Sequence, residues 1–194
     1  MARSKQSSRD WIERASDRGC AALAVLRARR HLVRYPEDGF AWCALGVDLT
    51  SLARYEEAAA ALAKAIELCP SAAHRVLFTY WGRLYREAGD YEKAVDWYRK
   101  AIEAAPDEAS GYLFLGAMLA KQGRLIEAEE IHRRATECTS GCIDEAYLNL
   151  GFVLRAQERF AEAADCFRET LRIDPEDKPA KRALRDVESC LRLR

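Results

Sequence analysis

The chain has no long apolar run. None approaches the ~18–20 residues that a bilayer-spanning helix needs, and the opening, MARSKQSSRDW, is polar, without the apolar core of a secretion signal. These absences make a cytoplasmic location the expectation, with no membrane partner. Net charge is also missing: 31 Lys plus Arg offset 31 Asp plus Glu, so no global field draws the molecule toward nucleic acid. There is no glycine-rich phosphate loop, no strand-flanked nucleophile elbow and no paired metal ligands. We therefore expect no enzyme activity, no catalytic residue, no cofactor and no metal. Seven cysteines, an odd number at irregular spacing, do not form a disulfide framework and suit packed, reduced thiols. Cys138 and Cys142, the one close pair, lack the two-residue spacer and second Cys/His pair of a zinc site.

What the chain does have is one sentence written several times. From Phe78 to Pro106, FTYWGRLYREAGDYEKAVDWYRKAIEAAP reads as two amphipathic helices hinged at Ala88-Gly89-Asp90. Phe78, Trp81, Gly82 and Tyr85 share one face of the first helix; Ala94, Tyr98 and Ala101 share one face of the second, which Pro106 ends. Small Gly82 and Ala94 among aromatics imply a close helix crossing, which a bulkier side chain would overpack at roughly 1–3 kcal/mol.

The same pattern recurs. Trp42, Leu45, Gly46 and Leu49 are followed by Ala58, Leu62, Ala65 and Pro70. Tyr112, Leu115, Gly116 and Leu119 are followed by Ala128, His132, Ala135 and Ser140; Tyr147, Leu150, Gly151 and Leu154 by Ala163, Phe167, Thr170 and Pro175. Glycines 46, 82, 116 and 151 lie 36, 34 and 35 residues apart, and alanines 58, 94, 128 and 163 keep the same step. These residues resemble the tetratricopeptide repeat, whose helix–turn–helix unit of about 34 residues carries this order of aromatic, Leu-Gly, Tyr, Ala, aromatic and Pro. The resemblance is strong over 39–177 and weaker over 5–38, where Ala24 and Pro36 stand 34 residues before Ala58 and Pro70.

The expected architecture is an all-α, right-handed superhelical solenoid of about eleven helices. Its expected parts are a disordered tail (1–8), a degenerate unit (9–38), four repeats (39–72, 75–108, 109–142 and 144–177) and a capping helix (178–194). Within the degenerate unit, a helix from Trp11 to Asp17 breaks near Gly19. A second, from Cys20 to about Tyr35, offers Leu23, Leu26, Ala28, Leu32 and Val33 for burial. The last helix sets Ala183, Leu184, Val187 and Leu191 on one side to cover the final repeat.

The resemblance implies a protein–protein interaction module, an adaptor or chaperone-like binder, whose first helices line a concave groove. Carried onto this chain, the groove positions are Phe40, Cys43, Val47, Tyr80, Arg83, Leu113, Phe114, Leu148, Asn149 and Phe152. Most are apolar, so the expected ligand is an apolar peptide segment or a partner's helix; the alternative is a groove filled by the protein's own side chains. The co-chaperone subfamily grips heat-shock-protein tails with a carboxylate clamp, but its places are held here by Cys43, Val47, Tyr80, Ser110 and Phe114, which cannot make one.

Charge distribution adds two readings. Residues 1–35 hold nine basic against three acidic residues and 178–194 hold six against two, leaving sixteen against twenty-six between them. Basic ends on an acidic body allow self-association as a scaffold. The cluster Arg27, Arg29, Arg30, His31 and Arg34 raises an RNA-binding reading, against which the acidic body argues. Two single residues stand out. His132 takes a slot filled elsewhere by Leu62, Tyr98 and Phe167, as a packed substitute or a pH-sensitive spot. Asp48 stands where the sister repeats carry Leu84, Met118 and Val153, and is expected to meet an arginine of the 27–34 cluster.

Overall fold

A computed structural model describes residues 4–193. Eleven α-helices follow one another: α1 Lys5–Asp17, α2 Ala21–Arg34, α3 Gly39–Ser51, α4 Tyr55–Leu68, α5 His74–Glu87, α6 Tyr91–Ala104, α7 Ala109–Lys121, α8 Leu125–Thr136, α9 Ile143–Ala156, α10 Phe160–Ile173 and α11 Lys178–Arg192. No β-strand occurs among the described residues. The chain makes a short 3-10 turn, Ser71–Ala73, where the spacing between the first and second repeats is two residues longer. The chain divides into two compact units, 1–101 and 102–194. In each, a helix packs against its successor and, along the first-helix layer, against the next but one, as α1, α3 and α5 do in one unit and α7 and α9 in the other.

The recurring glycines explain the helix pairing. A Cβ on Gly46 would lie 2.6 Å from Leu62 Cγ, on Gly82 2.6 Å from Tyr98 Cδ1, on Gly116 2.5 Å from His132 Cε1, and on Gly151 2.5 Å from Phe167 Cε1. Each first helix thus lacks a side chain where its partner helix inserts a large one. Leu62, Tyr98 and Phe167 have no exposure, and His132 has 1%. His132 is therefore a packed member of this series.

The α1–α2 pair inverts the arrangement. Counting back 34 residues from Gly46 and Leu62 gives Ile12 and Ala28, both buried in the same core cluster. Here the large residue is on the first helix and the small one on the second. The hairpin turn nevertheless persists: Gly19, Gly89 and Gly123 adopt positive φ, and at the matching places Ala53 (57°) and Glu158 (60°) do so without being glycine.

Three expectations about the N-terminal region need correction. Residues 5–8, assigned to a disordered tail, are the first turn of α1, whose N-cap Ser4 accepts a hydrogen bond from the Ser7 N–H; residues 1–3 lie outside the described ones. On α2, Ala24, Val25, Ala28 and Leu32 are buried, whereas Leu23, Leu26 and Val33 are exposed, Val33 at 87%. The buried stripe is thus turned by about one residue from the expected one. Asp48 is buried, but it accepts a hydrogen bond from Ser16 Oγ on α1 at 2.7 Å, not from an α2 arginine. Burial pushes its carboxyl above the usual range, with the Ser16 hydrogen bond opposing.

What secures α1 is Asp38, at the N-cap of α3. Its fully buried carboxylate accepts from Arg9 Nε at 2.6 Å and from Arg9 Nη2, from His31 Nε2 at 2.8 Å, and from the Ala41 N–H at 3.3 Å. Lys5 Nζ adds a longer ion pair at 3.7 Å. Because an ionised carboxylate only accepts, His31 carries its proton on Nε2. Burial opposes the charge, but the Arg9 and His31 hydrogen bonds prevail and hold the Asp38 carboxyl down at about 2.

Candidate first-helix binding faces

In the 1–101 unit the candidate face is built on α3 and α5. Successive first helices pack side by side, so side chains of α3 and α5 that escape the α4 and α6 contacts meet along one surface. Tyr80, half-buried, packs against the unit's core, and burial pushes its hydroxyl up, with Cys43 adding to the rise and Arg83 opposing it. Cys43 leans on the cluster of Ala65, Cys69 and Leu77, and burial pushes its thiol up to about 12. That makes it an inert packing residue. Val47, one turn on from Cys43 along α3, is half-buried. Arg83 Nη2 donates to Ser51 Oγ at 3.2 Å, bridging α5 to α3. Phe40, 55% exposed on the first turn of α3, lies under the Arg9 guanidinium at 5.3 Å.

On the opposite side of α5 the aromatics form a ladder. Trp81 and Trp97 stack at 4.9 Å and 14°, Trp81 and Tyr85 at 5.8 Å, and Phe78 meets Trp97 at 5.7 Å. The Lys100 ammonium caps Trp97 at 4.0 Å. These rings join α5 to α6 and leave Tyr80 as the α5 aromatic beside Cys43.

In the 102–194 unit the candidate face lies on α7 and α9. Phe114 is 37% exposed. Asn149 and Phe152 line a cavity of about 370 Å³ together with Ala117, Lys121, Val153 and, from beneath, His132. The Phe152 ring meets Phe167 edge-on at 5.4 Å, which fixes its orientation. Leu148 packs on the core around Leu150 and Phe167. Leu113 departs from expectation: at 5% exposure it is a core residue, grouped with Ala109, Ala135 and Ala146. Tyr112, Cys138 and Ile143 pack against the same cluster.

His132 is neutral in this setting: burial pushes it down to about 4, and its Nδ1 has no hydrogen-bond partner among the described residues. Three of the five members of the Arg27–Arg34 cluster are engaged by other groups. Arg27 Nη1 donates to the Trp11 carbonyl at 2.7 Å and its guanidinium covers the Trp11 ring, Arg29 pairs with Glu57 at 2.5 Å, and His31 is held by Asp38. No group of His, Cys, Asp and Glu suited to a metal ion occurs among the described residues, and no helix there is long and apolar enough to cross a membrane.

Residues 41–71 and 107–176 match family models described as tetratricopeptide repeat, and 82–123 one described as TPR repeat. Human tetratricopeptide repeat protein 7A is 35% identical over 119 residues, 61% of this chain but 14% of that protein, so the chain spans about a seventh of that relative's length. Among solved structures, TTC0263, a thermophilic TPR protein of Thermus thermophilus, aligns with a TM-score of 0.72 at 18% identity, covering 95% of this chain and 98% of its own. The first TPR of Spaghetti (RPAP3), bound to the HSP90 peptide SRMEEVD, aligns at 0.55 and 20% identity, covering 62% and 94%.

Proposed function

Since the chain belongs to the tetratricopeptide repeat family, whose fold serves protein–protein interaction, we propose that its first-helix faces bind an apolar peptide segment or the apolar side of a partner's helix. The observation that carries this reading is chemical. At the places facing outward from α3, α5, α7 and α9 stand Phe40, Tyr80, Phe114 and Phe152, half-buried or exposed rings on rigid helices. Such rings contribute large contact area at little entropic cost. The cavity beside Phe152 and Asn149 offers a seat for one apolar side chain, with the Asn149 amide to orient its backbone.

The mechanism involves no bond-making step: the repeats hold a surface that exists before the partner arrives. In the neighbouring RPAP3 structure the bound peptide is acidic. In this chain the clamp places are Cys43, Val47, Tyr80, Ser110 and Phe114, which supply no cation, so we assign these faces to apolar rather than carboxylate-terminated ligands. Replacing Tyr80 and Phe114 together by Glu tests the reading. Loss of partner capture with unchanged helicity by circular dichroism is expected, and full retention of capture refutes it.

A further inference from the structure

We propose that a second pocket, between α9 and α11, binds an acidic peptide segment in which carboxylates flank an apolar side chain. It rests on the reading of the α7/α9 face as a peptide-binding one, since Phe152 borders both sites. The pocket measures about 600 Å³ and is lined by Phe152 and Arg155 of α9 and by Lys178, Pro179, Arg182, Ala183 and Asp186 of α11. Lys178, Arg182 and Asp186 recur every four residues and so share one face of α11. The floor is apolar: Phe152, Pro179 and Ala183. The rim carries three cations against one carboxylate.

That carboxylate is already engaged. Arg155 Nη1 donates to Asp186 Oδ2 at 3.1 Å, while its guanidinium lies 5.2 Å from the centre of the Phe152 ring. Lys178 and Arg182 have no carboxylate or hydrogen-bond partner among the described residues. Lys121 shares this state, whereas Arg124, Arg133, Arg159, Arg168, Arg172 and Lys181 of the 102–194 unit each pair with a glutamate. The remaining cations of α11 behave differently again: Arg185 turns back to the Lys181 carbonyl and Arg192 to Ser189. Two unengaged cations above an aromatic and proline floor match two carboxylates on either side of one leucine- or phenylalanine-like group. The pairing gains from a partly desolvated floor, which strengthens charge attraction relative to open water.

The test uses the full chain and two fluorescein-labelled pentapeptides, one with glutamates flanking a single central leucine, the other with glutamines in their place. Fluorescence anisotropy is expected to show binding of the glutamate peptide, weakened by salt, and binding of the glutamine peptide about tenfold weaker or more. Lys178→Glu with Arg182→Glu, both at solvent-accessible positions, is expected to weaken the glutamate peptide by at least about tenfold without loss of helicity. Tyr80→Glu with Phe114→Glu is expected to leave it unchanged, so failure of the first-helix reading and failure of this one are distinguishable. Absence of binding, equal binding of the two peptides, or full binding by the charge-reversed variant overturns the proposal. So does sedimentation showing that the unliganded chain is a dimer which the charge reversal dissociates, because the pocket's occupant is then a second copy.

Discussion

Replacing His132 by Phe should remove a specific acid sensitivity from the 102–194 unit. The substitution copies Phe167, which occupies the same slot beneath Gly151 with the same near-contact geometry that His132 makes beneath Gly116. Folded His132 stays neutral down to about pH 4, whereas in the unfolded chain it titrates at its ordinary value near 6.5. Above pH 6.5 both states hold a neutral ring and histidine adds no pH dependence. Between 6.5 and 4 only the unfolded state gains the proton, so stability falls as pH falls. The full gap is worth roughly 3 kcal/mol, and at pH 5 about 2 kcal/mol of it is already lost. Urea unfolding followed by circular dichroism at pH 7.5 and 5.0, on wild type and His132→Phe, measures this. At pH 7.5 the two should agree within about 1 kcal/mol, since a larger ring is offset by removal of an unpartnered Nδ1. At pH 5.0 the variant should be the more stable by about 2 kcal/mol. Carboxylates titrating in that range affect both proteins alike and cancel. Equal loss of stability in the two proteins would refute the reasoning.

Three further outcomes follow from packing and charge. Asp38→Ala should cost about 3 kcal/mol or more in denaturant unfolding, because it removes the acceptor shared by Arg9, His31 and the α3 N-cap. As Asp38 is held at about 2, its contribution is present above the unfolded value near 4 and lost as pH falls from there toward 2, which acid titration of wild type against Asp38→Ala would register. Gly82→Ala should lower the melting temperature through roughly 1–3 kcal/mol of overpacking against the Tyr98 ring. Ala53→Gly and Glu158→Gly, at positive φ, should each leave stability unchanged or raise it by up to about 1 kcal/mol, measured by thermal melts.

The four strong repeats were legible because one steric relation, a glycine on the first helix against a large residue on the second, fixes both spacing and residue type. The α1–α2 pair was harder to read because Ile12 and Ala28 satisfy the same packing with the sizes exchanged, which a search for a small residue on the first helix passes over. Gly19 was the available signal, standing 34 residues before Ala53 and 70 before Gly89. The Asp38 network joins residues 29 and 7 positions away, and no local periodicity encodes such a meeting. Asp48 could be read as buried from its sister positions, but its own helix does not reveal whether α1 or α2 covers it. Leu113 is a similar case: carrying groove positions from one repeat to the next does not register that it packs with Ala109, Ala135 and Ala146. The pocket between α9 and α11 lay outside the repeat pattern, since α11 does not carry it.

The most direct test of the account is site-specific photocrosslinking. A benzophenone side chain placed at Tyr80 or Phe114, on the first helices, is compared with one at Asp96 or Glu130, on the second helices α6 and α8. Adducts with a binding partner from Tyr80 and Phe114, and none from Asp96 and Glu130, are the predicted result. Adducts confined to Asp96 and Glu130 would contradict the claim that the first-helix faces receive the partner.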